Sequence, residues 1–368
     1  MRRRPKTTDK PAAGKAGKPP ARPKLQPREA QAWLLRCAPG LARLLIKEMQ
    51  FRRLVIRGAK VLTLRQRNHD LLFLPHIPKT EGLKALRIAE EIHRCPVYGR
   101  YKISNQQLDL LAELLRRVGG RRLVVTADGA HFNRHDIGRW LSREMAARGA
   151  GLTSGDTGPA LWMFCIDTAF YFALTDRTAN DAPERNQRKK ERPGSLPPEI
   201  AAALAFAATP TDGDVICDPV CGSGTLLAEA HAYAPAARLI GVDSDAAAVA
   251  IARANLGHVK TVDIKKGDAR RLDVEPGRVT LFLANLPFGK QFGTTDSNPT
   301  LYRKILADAL RIGVPGRWQG LYLTSDDESF RTASREVPGL NVESLFQVKV
   351  RGEPATAYRV TPTGRSTE

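Results

Sequence analysis

From Pro197 onward, helix and strand patterns alternate in a way that leaves few folds open. The spacing of apolar residues predicts a helix over 198–208, the strand Val215-Ile216-Cys217 and a helix over 224–233. The strand Arg238-Leu239-Ile240-Gly241-Val242 follows, then an alanine-rich helix over 245–256 closed by Gly257. Strands near 261–264 and 279–284, a helix over 299–311 and the strand Leu321-Tyr322-Leu323 continue the series. Such alternation builds a parallel sheet with helices on both faces. The end differs, because Val342–Val350 and Ala355–Val360, split by Arg351-Gly352-Glu353-Pro354, read as an antiparallel hairpin.

The N-terminal half has another texture. Ala30 to Leu74 reads as strand, helix, strand, strand: Trp33-Leu34-Leu35, a helix opened by Pro39-Gly40, then Leu54-Val55-Ile56 and Val61–Leu64 around Arg57-Gly58-Ala59-Lys60. Helices are expected over 83–93 and 105–118, the second ending at Gly119-Gly120. A strand Arg121–Ala127, a helix over 134–148 and strands near 160–167 and 169–175 complete an α+β unit. In the 134–148 helix, Ile137, Trp140, Leu141 and Met145 form one stripe. Arg139 and Arg143 lie on the opposite side, which suits either a solvated face or a polyanion. Residues 177–194 are polar and charged, carry Arg185, Arg188, Lys189, Lys190 and Arg192, and read as a basic linker.

Charge sharpens the picture. The 368 residues carry a formal net charge of +20, which asks for a polyanionic partner. Residues 1–28 hold ten basic residues, one acidic residue and six prolines. Such a tail is expected to be disordered, and either solubilises the chain or attracts nucleic-acid phosphates. No run approaches about 18 apolar residues, and no secretory signal is expected at the start, so neither membrane nor secretion fits. Cys37, Cys95, Cys165, Cys217 and Cys221 form no CxxC, so neither a disulfide scaffold nor a metal site is expected and a reducing cytoplasm is the simple reading.

Chemistry concentrates at strand ends. Asp218-Pro219-Val220-Cys221-Gly222-Ser223-Gly224-Thr225 follows one strand and opens a helix. Gly222 and Gly224 remove Cβ atoms where a backbone turns tightly against a ligand, although any glycine-rich turn would show the same. The spacing is not GxGxxG, and no Lys-Ser/Thr pair makes it a phosphate loop. Asp218 ahead of the glycines suits a cationic or amine-bearing ligand instead.

That octapeptide resembles the first motif of class I methyltransferases, which use S-adenosylmethionine (SAM) and here modify nucleic-acid amino groups. The resemblance implies a Rossmann-like seven-stranded sheet ending in the antiparallel hairpin. It also implies that Asp243, in Gly241-Val242-Asp243-Ser244-Asp245, accepts from the ribose hydroxyls, with Asp245 as a helix cap. Asp268, in Gly267-Asp268-Ala269, would accept from the adenine amino group. Leu283-Ala284-Asn285-Leu286-Pro287-Phe288-Gly289-Lys290 resembles the [Asn/Asp]-Pro-Pro-[Phe/Tyr] signature of amino-methyltransferases, with Leu286 replacing the first proline. The amino group of a base is conjugated with its ring and is a poor nucleophile until it pyramidalises. The Asn285 side-chain oxygen and the Leu286 carbonyl would accept its two N–H bonds, and Phe288 would stack on the extruded base.

The Asn-Leu-Pro-Phe-Gly-Lys form is similar to the THUMP-domain branch that methylates N2 of guanine 6 in tRNA. Arg192–Pro197 resembles that family's segment over the methionine end of SAM, which adds Ser195 and Leu196 to the cofactor set of Asp218, Cys221, Gly222, Gly224, Thr225, Asp243, Ser244, Asp268, Ala269 and Asn285. Cys37-Ala38-Pro39-Gly40-Leu41, and Val124-Thr126-Ala127 followed by His131–Ile137, match its ferredoxin-like and THUMP parts. The implied domains are a tail (1–28), a ferredoxin-like plus THUMP RNA-binding region (29–176), a linker (177–194) and a methyltransferase domain (195–368). Arg134, Arg139, Arg143, Arg188, Lys189, Lys190 and Lys290 become RNA contacts, tRNA the partner, and no obligate protein partner is evident. Methylation of 23S rRNA guanine N2 or adenine N6, and a non-catalytic SAM-binding RNA-assembly protein, are the alternatives.

Overall fold

The computed structural model describes residues 31–55, 61–65, 68–76, 81–118, 121–128, 133–153, 160–178, 194–287 and 298–364. The tail 1–28, Arg188, Lys189, Lys190, Phe288 and Lys290 lie outside the described residues.

Region 29–176 builds one mixed sheet. Its elements are β1 (Ala32–Cys37), α1 (Ala42–Phe51), β2 (Leu62–Arg65), β3 (Asp70–Leu74), β4 (Glu91–Arg100), α2 (Asn105–Val118), β5 (Arg121–Asp128), α3 (Arg134–Ala147), β6 (Leu152–Thr153), β7 (Ala160–Ile166) and β8 (Ala169–Thr178). The strand order is β2-β3-β1-β4-β8-β7-β5-β6. The ten-residue strands β4 and β8 pair antiparallel and join the two halves of the sheet. β8 continues to Thr178, two residues past the expected end of the region.

Two local expectations fail here for tertiary reasons. The helix expected over 83–93 is a 3-10 turn, Glu81–Ala85, followed by β4. The buried Glu48 carboxylate accepts from the amides of Arg87 (3.0 and 3.1 Å) and Ile88 (3.0 Å), so these donors are satisfied without a helix. Pro96, next along, also suits a bulged strand better than a helix interior. Leu54 and Val55 are buried but form no strand: Arg53 turns the chain at φ +56° and the Leu54 amide returns to the Met49 carbonyl. The hairpin pairs β2 with β3 instead.

The C-terminal half follows its pattern closely. It contains α4 (Pro198–Ala207), β9 (Val215–Asp218), α5 (Thr225–Tyr233), β10 (Arg238–Asp243), α6 (Ala246–Leu256), β11 (Val262–Lys266), β12 (Leu281–Asn285), α7 (Asn298–Ile312), β13 (Gln319–Thr324), α8 (Asp327–Arg335), β14 (Leu340–Val350) and β15 (Glu353–Pro362). The seven-stranded order is β11-β10-β9-β12-β13-β15-β14, parallel from β11 to β13 and antiparallel in the closing hairpin. The chain runs outward from β9 to β11 and then returns to place β12 on the other side of β9. That reversal opens a crevice at the carboxyl ends of β9 and β12.

Helix α4 explains how the halves meet. Ile200 to Ala205 are all buried, and a helix apolar on every side must be covered on every side. It packs on α5 and on α1, and one continuous apolar core spans both sheets. Buried polar groups bridge the same junction: Arg87 pairs with Glu229 at 2.6 Å, and the Tyr233 hydroxyl donates to Glu48 at 2.9 Å. Gly40, at φ +94°, lies against β14, where a Cβ would meet the Gln347 carbonyl oxygen at 2.1 Å.

Candidate active site

The apolar strands β9, β10 and β12 each end in a polar residue, so burial of the run itself carries Asp218, Asp243 and Asn285 to one edge of the sheet. At the first of these ends the Asp218 carboxylate is buried and accepts from the Val220 amide at 3.0 Å. Burial, with the Asp243 charge adding to it, pushes its pKa up to about 8. The turn is pinned from Cys221, whose amide donates to the Val242 carbonyl at 2.9 Å. Burial also raises the Cys221 thiol, consistent with a small wall residue rather than a nucleophile.

The two glycines have separate reasons. Gly222 adopts φ +53° and a Cβ there would meet nothing within 4 Å, so the turn faces open space. Gly224, at φ +81°, caps α5, and a Cβ would fall 2.8 Å from Leu256 Cδ1. Thr225 and Ser223 hydroxyls lie 3.2 Å apart, and Ser223 meets the Ser195 hydroxyl at 3.0 Å. The segment Ser195-Leu196 is thereby brought onto the turn, with Leu196 buried and the Ser195 carbonyl accepting from Arg351.

Asp243 organises the next strand end. One carboxylate oxygen accepts from the Gly222 amide and the other from Asp245, each at 2.9 Å. Asp245 caps α6 by accepting from the Ala247 amide, as expected, and Ser244 is exposed between them. Asp268 lies beyond β11, where the Arg270 guanidinium holds it at 2.6 to 2.9 Å and keeps it below the usual carboxylate range. Ala269 packs against the core beneath.

The fourth end carries the unusual atom. Asn285 closes β12, and its Oδ1 is buried with no hydrogen-bond partner among the described residues. A buried amide oxygen left unpaired costs about 1–3 kcal/mol, and at this strand end the open acceptor is available to a donor on a ligand. Leu286 is fully buried and its amide donates to the Leu323 carbonyl at 2.9 Å, which anchors the backbone directly after Asn285. The Pro287 carbonyl accepts from the Tyr302 hydroxyl at 2.5 Å.

Tyr302 was invisible to motif reasoning. Its hydroxyl also meets Thr324 Oγ1 at 3.1 Å, which accepts from the Asp326 amide at 3.0 Å, while Asn298 donates to the Asp326 carboxylate at 2.9 Å. The run Thr324-Ser325-Asp326 closing β13 was the available signal, being one more polar strand end beside Asn285. Burial holds the Tyr302 phenol neutral, its pKa pushed up to about 12.

The RNA-facing expectations are scattered. Arg134, Arg139 and Arg143 are exposed on α3, whose N-terminus Asn133 caps by accepting from the His135 amide at 2.9 Å. Arg139 pairs with Asp136 at 2.6 Å on that surface. No helix among the described residues is long and apolar enough to cross a membrane.

The sheet order, the crevice and the four polar strand ends define a class I methyltransferase fold. Residues 185–355 match the model of the UPF0020 family, the RMKL-like methyltransferase domain. The tRNA (guanine(6)-N(2))-methyltransferase THUMP3 of Bos taurus is 27% identical over 155 residues, covering 38% of this chain and 31% of that protein. The tRNA (guanine(10)-N2)-dimethyltransferase of Methanothermobacter thermautotrophicus is 32% identical over 147 residues, covering 38% of this chain and 43% of that protein. The chain thus spans well under half the length of these curated relatives. The crystal structure of TrmN from Thermus thermophilus superposes with a TM-score of 0.75 at 22% identity, over 90% of this chain and 99% of that one, a likeness of fold.

Proposed function

We propose that this chain is a SAM-dependent RNA methyltransferase acting on the exocyclic N2 of a guanine in cytoplasmic tRNA. The observation that carries the reading is the buried Asn285 Oδ1 at the switch point of the sheet, without a partner among the described residues. The cofactor fits the residues present: Asp243 offers its carboxylate to ribose hydroxyls and Asp268 to the adenine amino group. Gly222 leaves room beside the turn, and Ser195, Leu196, Asp218, Cys221, Gly224, Thr225, Ser244 and Ala269 complete the surround. When bound, it supplies an electrophilic methyl group on sulfur.

The rest of the work belongs to the chain. Asn285 Oδ1 and the Leu286 carbonyl accept the two N–H bonds of the base, which turns the nitrogen lone pair out of conjugation and toward the methyl group. Such fixed acceptors cost no reorganisation at the moment of transfer. After the nitrogen gains the methyl group, its surplus proton leaves to solvent. Phe288 has the part of stacking on the extruded guanine, and Lys290 of meeting its phosphate.

Guanine 6 of the acceptor stem is the proposed target, supported by the Asn285-Leu286-Pro287-Phe288 form and by the bovine relative. The archaeal relative favours a second reading, guanine 10. Asn285→Ala is expected to lower methyl transfer by about a hundredfold or more while SAM affinity stays within a few fold. Near-normal turnover would overturn the assignment. Mass spectrometry of tRNA nucleosides from a deletion strain, with the lost N2-methylguanosine mapped to its position, separates the two targets.

A further inference from the structure

Outside the site, one exposed aromatic residue sits in a strained turn. β4 closes with Tyr98-Gly99-Arg100 and runs on into Tyr101-Lys102, so two tyrosines interleave with two cations. The Lys102 amide donates to the Arg100 carbonyl at 2.8 Å, and Tyr101 between them has φ +64°. This is a γ-turn of positive φ, the rarer and strained form, centred on a bulky residue that disfavours it.

The turn is held from several sides. The Tyr101 amide donates to the Thr168 carbonyl at 2.7 Å. Gln107 donates to the Tyr98 carbonyl at 3.1 Å, and its own carbonyl accepts from the Ser104 amide at 3.0 Å. Phe170 fills the space above Gly99, where a Cβ would approach its ring to 2.6 Å. None of this support uses the Tyr101 ring, which is 79% exposed. Arg100 and Lys102 are exposed beside it, with Tyr98 half-exposed on the same strand. Asp167, exposed in the β7–β8 turn, precedes the Thr168 whose carbonyl takes the Tyr101 amide. That turn also walls a cavity of about 680 Å³ whose lining includes Arg43 and Arg65 along with Asp70.

Strain maintained for a side chain that packs on nothing marks a function outside the fold. An aromatic face flanked by cations is the recognition chemistry of an unpaired nucleobase and its phosphates. We infer that Tyr101 is a stacking platform for an unpaired RNA nucleotide, with Arg100 and Lys102 meeting the adjoining phosphates. The inference rests on the reading of the substrate as RNA, and the site is distinct from the Asn285 crevice.

The experiment compares two fluorescent RNA hairpins, one with a single-stranded overhang and one blunt, by anisotropy on the full chain. Tyr101→Ala is expected to bind the overhang hairpin about ten- to a hundredfold more weakly, and Tyr101→Phe to retain affinity within about twofold. The blunt hairpin should not distinguish the variants, and the salt slope should be unchanged because no charge is lost. Tyr101→Gly supplies the decisive control: it should lose affinity like Tyr101→Ala yet melt no lower than the parent, since glycine relieves the turn. Unchanged overhang affinity in Tyr101→Ala, or equal loss on both hairpins, overturns the platform. Methyl transfer to tRNA by the unsubstituted chain is measured alongside. Its absence, with overhang binding still dependent on Tyr101, would defeat the enzymatic reading and leave the platform standing.

Discussion

Replacing Tyr302 by phenylalanine tests whether the wall behind Asn285 is part of the catalytic device. The ring is fully buried between α8 and the end of β12, in edge contact with Phe330, so the apolar part of the side chain remains in place. What disappears is one hydroxyl, which donates to the Pro287 carbonyl at 2.5 Å and takes up Thr324 Oγ1 at 3.1 Å. Loss of a buried donor that leaves its acceptor unpaired costs about 1–3 kcal/mol of stability. The second effect is geometric. Two bonds restrain the peptide units after Asn285: the Leu286 amide to Leu323, and Tyr302 to Pro287. Removing one lets the acceptors that must grip an amino group drift, and misplacement of about 1 Å costs on the order of a hundredfold in rate.

Single-turnover methyl transfer under saturating tRNA, with SAM affinity measured separately by calorimetry, distinguishes these effects. Tyr302→Phe is expected to lower the transfer rate about ten- to a hundredfold, with SAM Kd and tRNA KM within about twofold. Thr324→Ser keeps the hydroxyl relay and should stay near the parent rate, while Thr324→Val should fall toward Tyr302→Phe. A Tyr302→Phe protein that melts lower but transfers methyl at the parent rate would refute the positioning argument and leave the residue a structural one.

Two further outcomes follow from buried charge. Asp218 holds its proton up to about pH 8 in the folded chain but loses it near pH 4 when unfolded, so the group's contribution to stability falls as pH rises between those values. Asp218→Asn should therefore gain stability relative to the parent from pH 5 to pH 8, at up to about 1.4 kcal/mol per pH unit, and a pH-independent difference in urea midpoints would refute the assignment. Arg87→Met removes the guanidinium that pairs with buried Glu229 and should cost about 3–5 kcal/mol, most of it recovered in Arg87→Met/Glu229→Leu. A single variant within about 1 kcal/mol of the parent in denaturant melts would show the pair to be unimportant.

The C-terminal half was legible because its signals are local. An apolar run ending in a polar residue reads as a buried parallel strand with a polar edge, so Asp218, Asp243 and Asn285 marked the fold and the strand ends where the candidate site lies. The segment 83–93 misled for the opposite reason: a helix-like spacing is overruled when Glu48, far away in sequence, satisfies the amides of Arg87 and Ile88. Tyr302 carries no motif, because what selects it is a distance to the Pro287 carbonyl across two elements. Arg270 was missed likewise, since its grip on Asp268 is a matter of rotamer rather than spacing.

The junction of the two sheets fixes how the N-terminal surfaces sit relative to the strand ends. Domains that move relative to one another meet through modest polar surfaces, whereas here α4 is buried on all sides between them. The buried Arg87–Glu229 pair and the Tyr233–Glu48 hydrogen bond both cross the junction, so rotating the N-terminal sheet would pull apart buried polar contacts. Gly40 lies where even a methyl group would strike β14, which removes sliding as well. Surfaces on the first sheet, Tyr101 and the arginines of α3 among them, are thus held at a fixed offset from Asn285. Under the proposed function, a rigid frame of this kind would select its nucleotide by distance along the RNA. Charge on the N-terminal sheet can then draw the polyanion in without weakening the acidic strand ends, which serve a cationic cofactor.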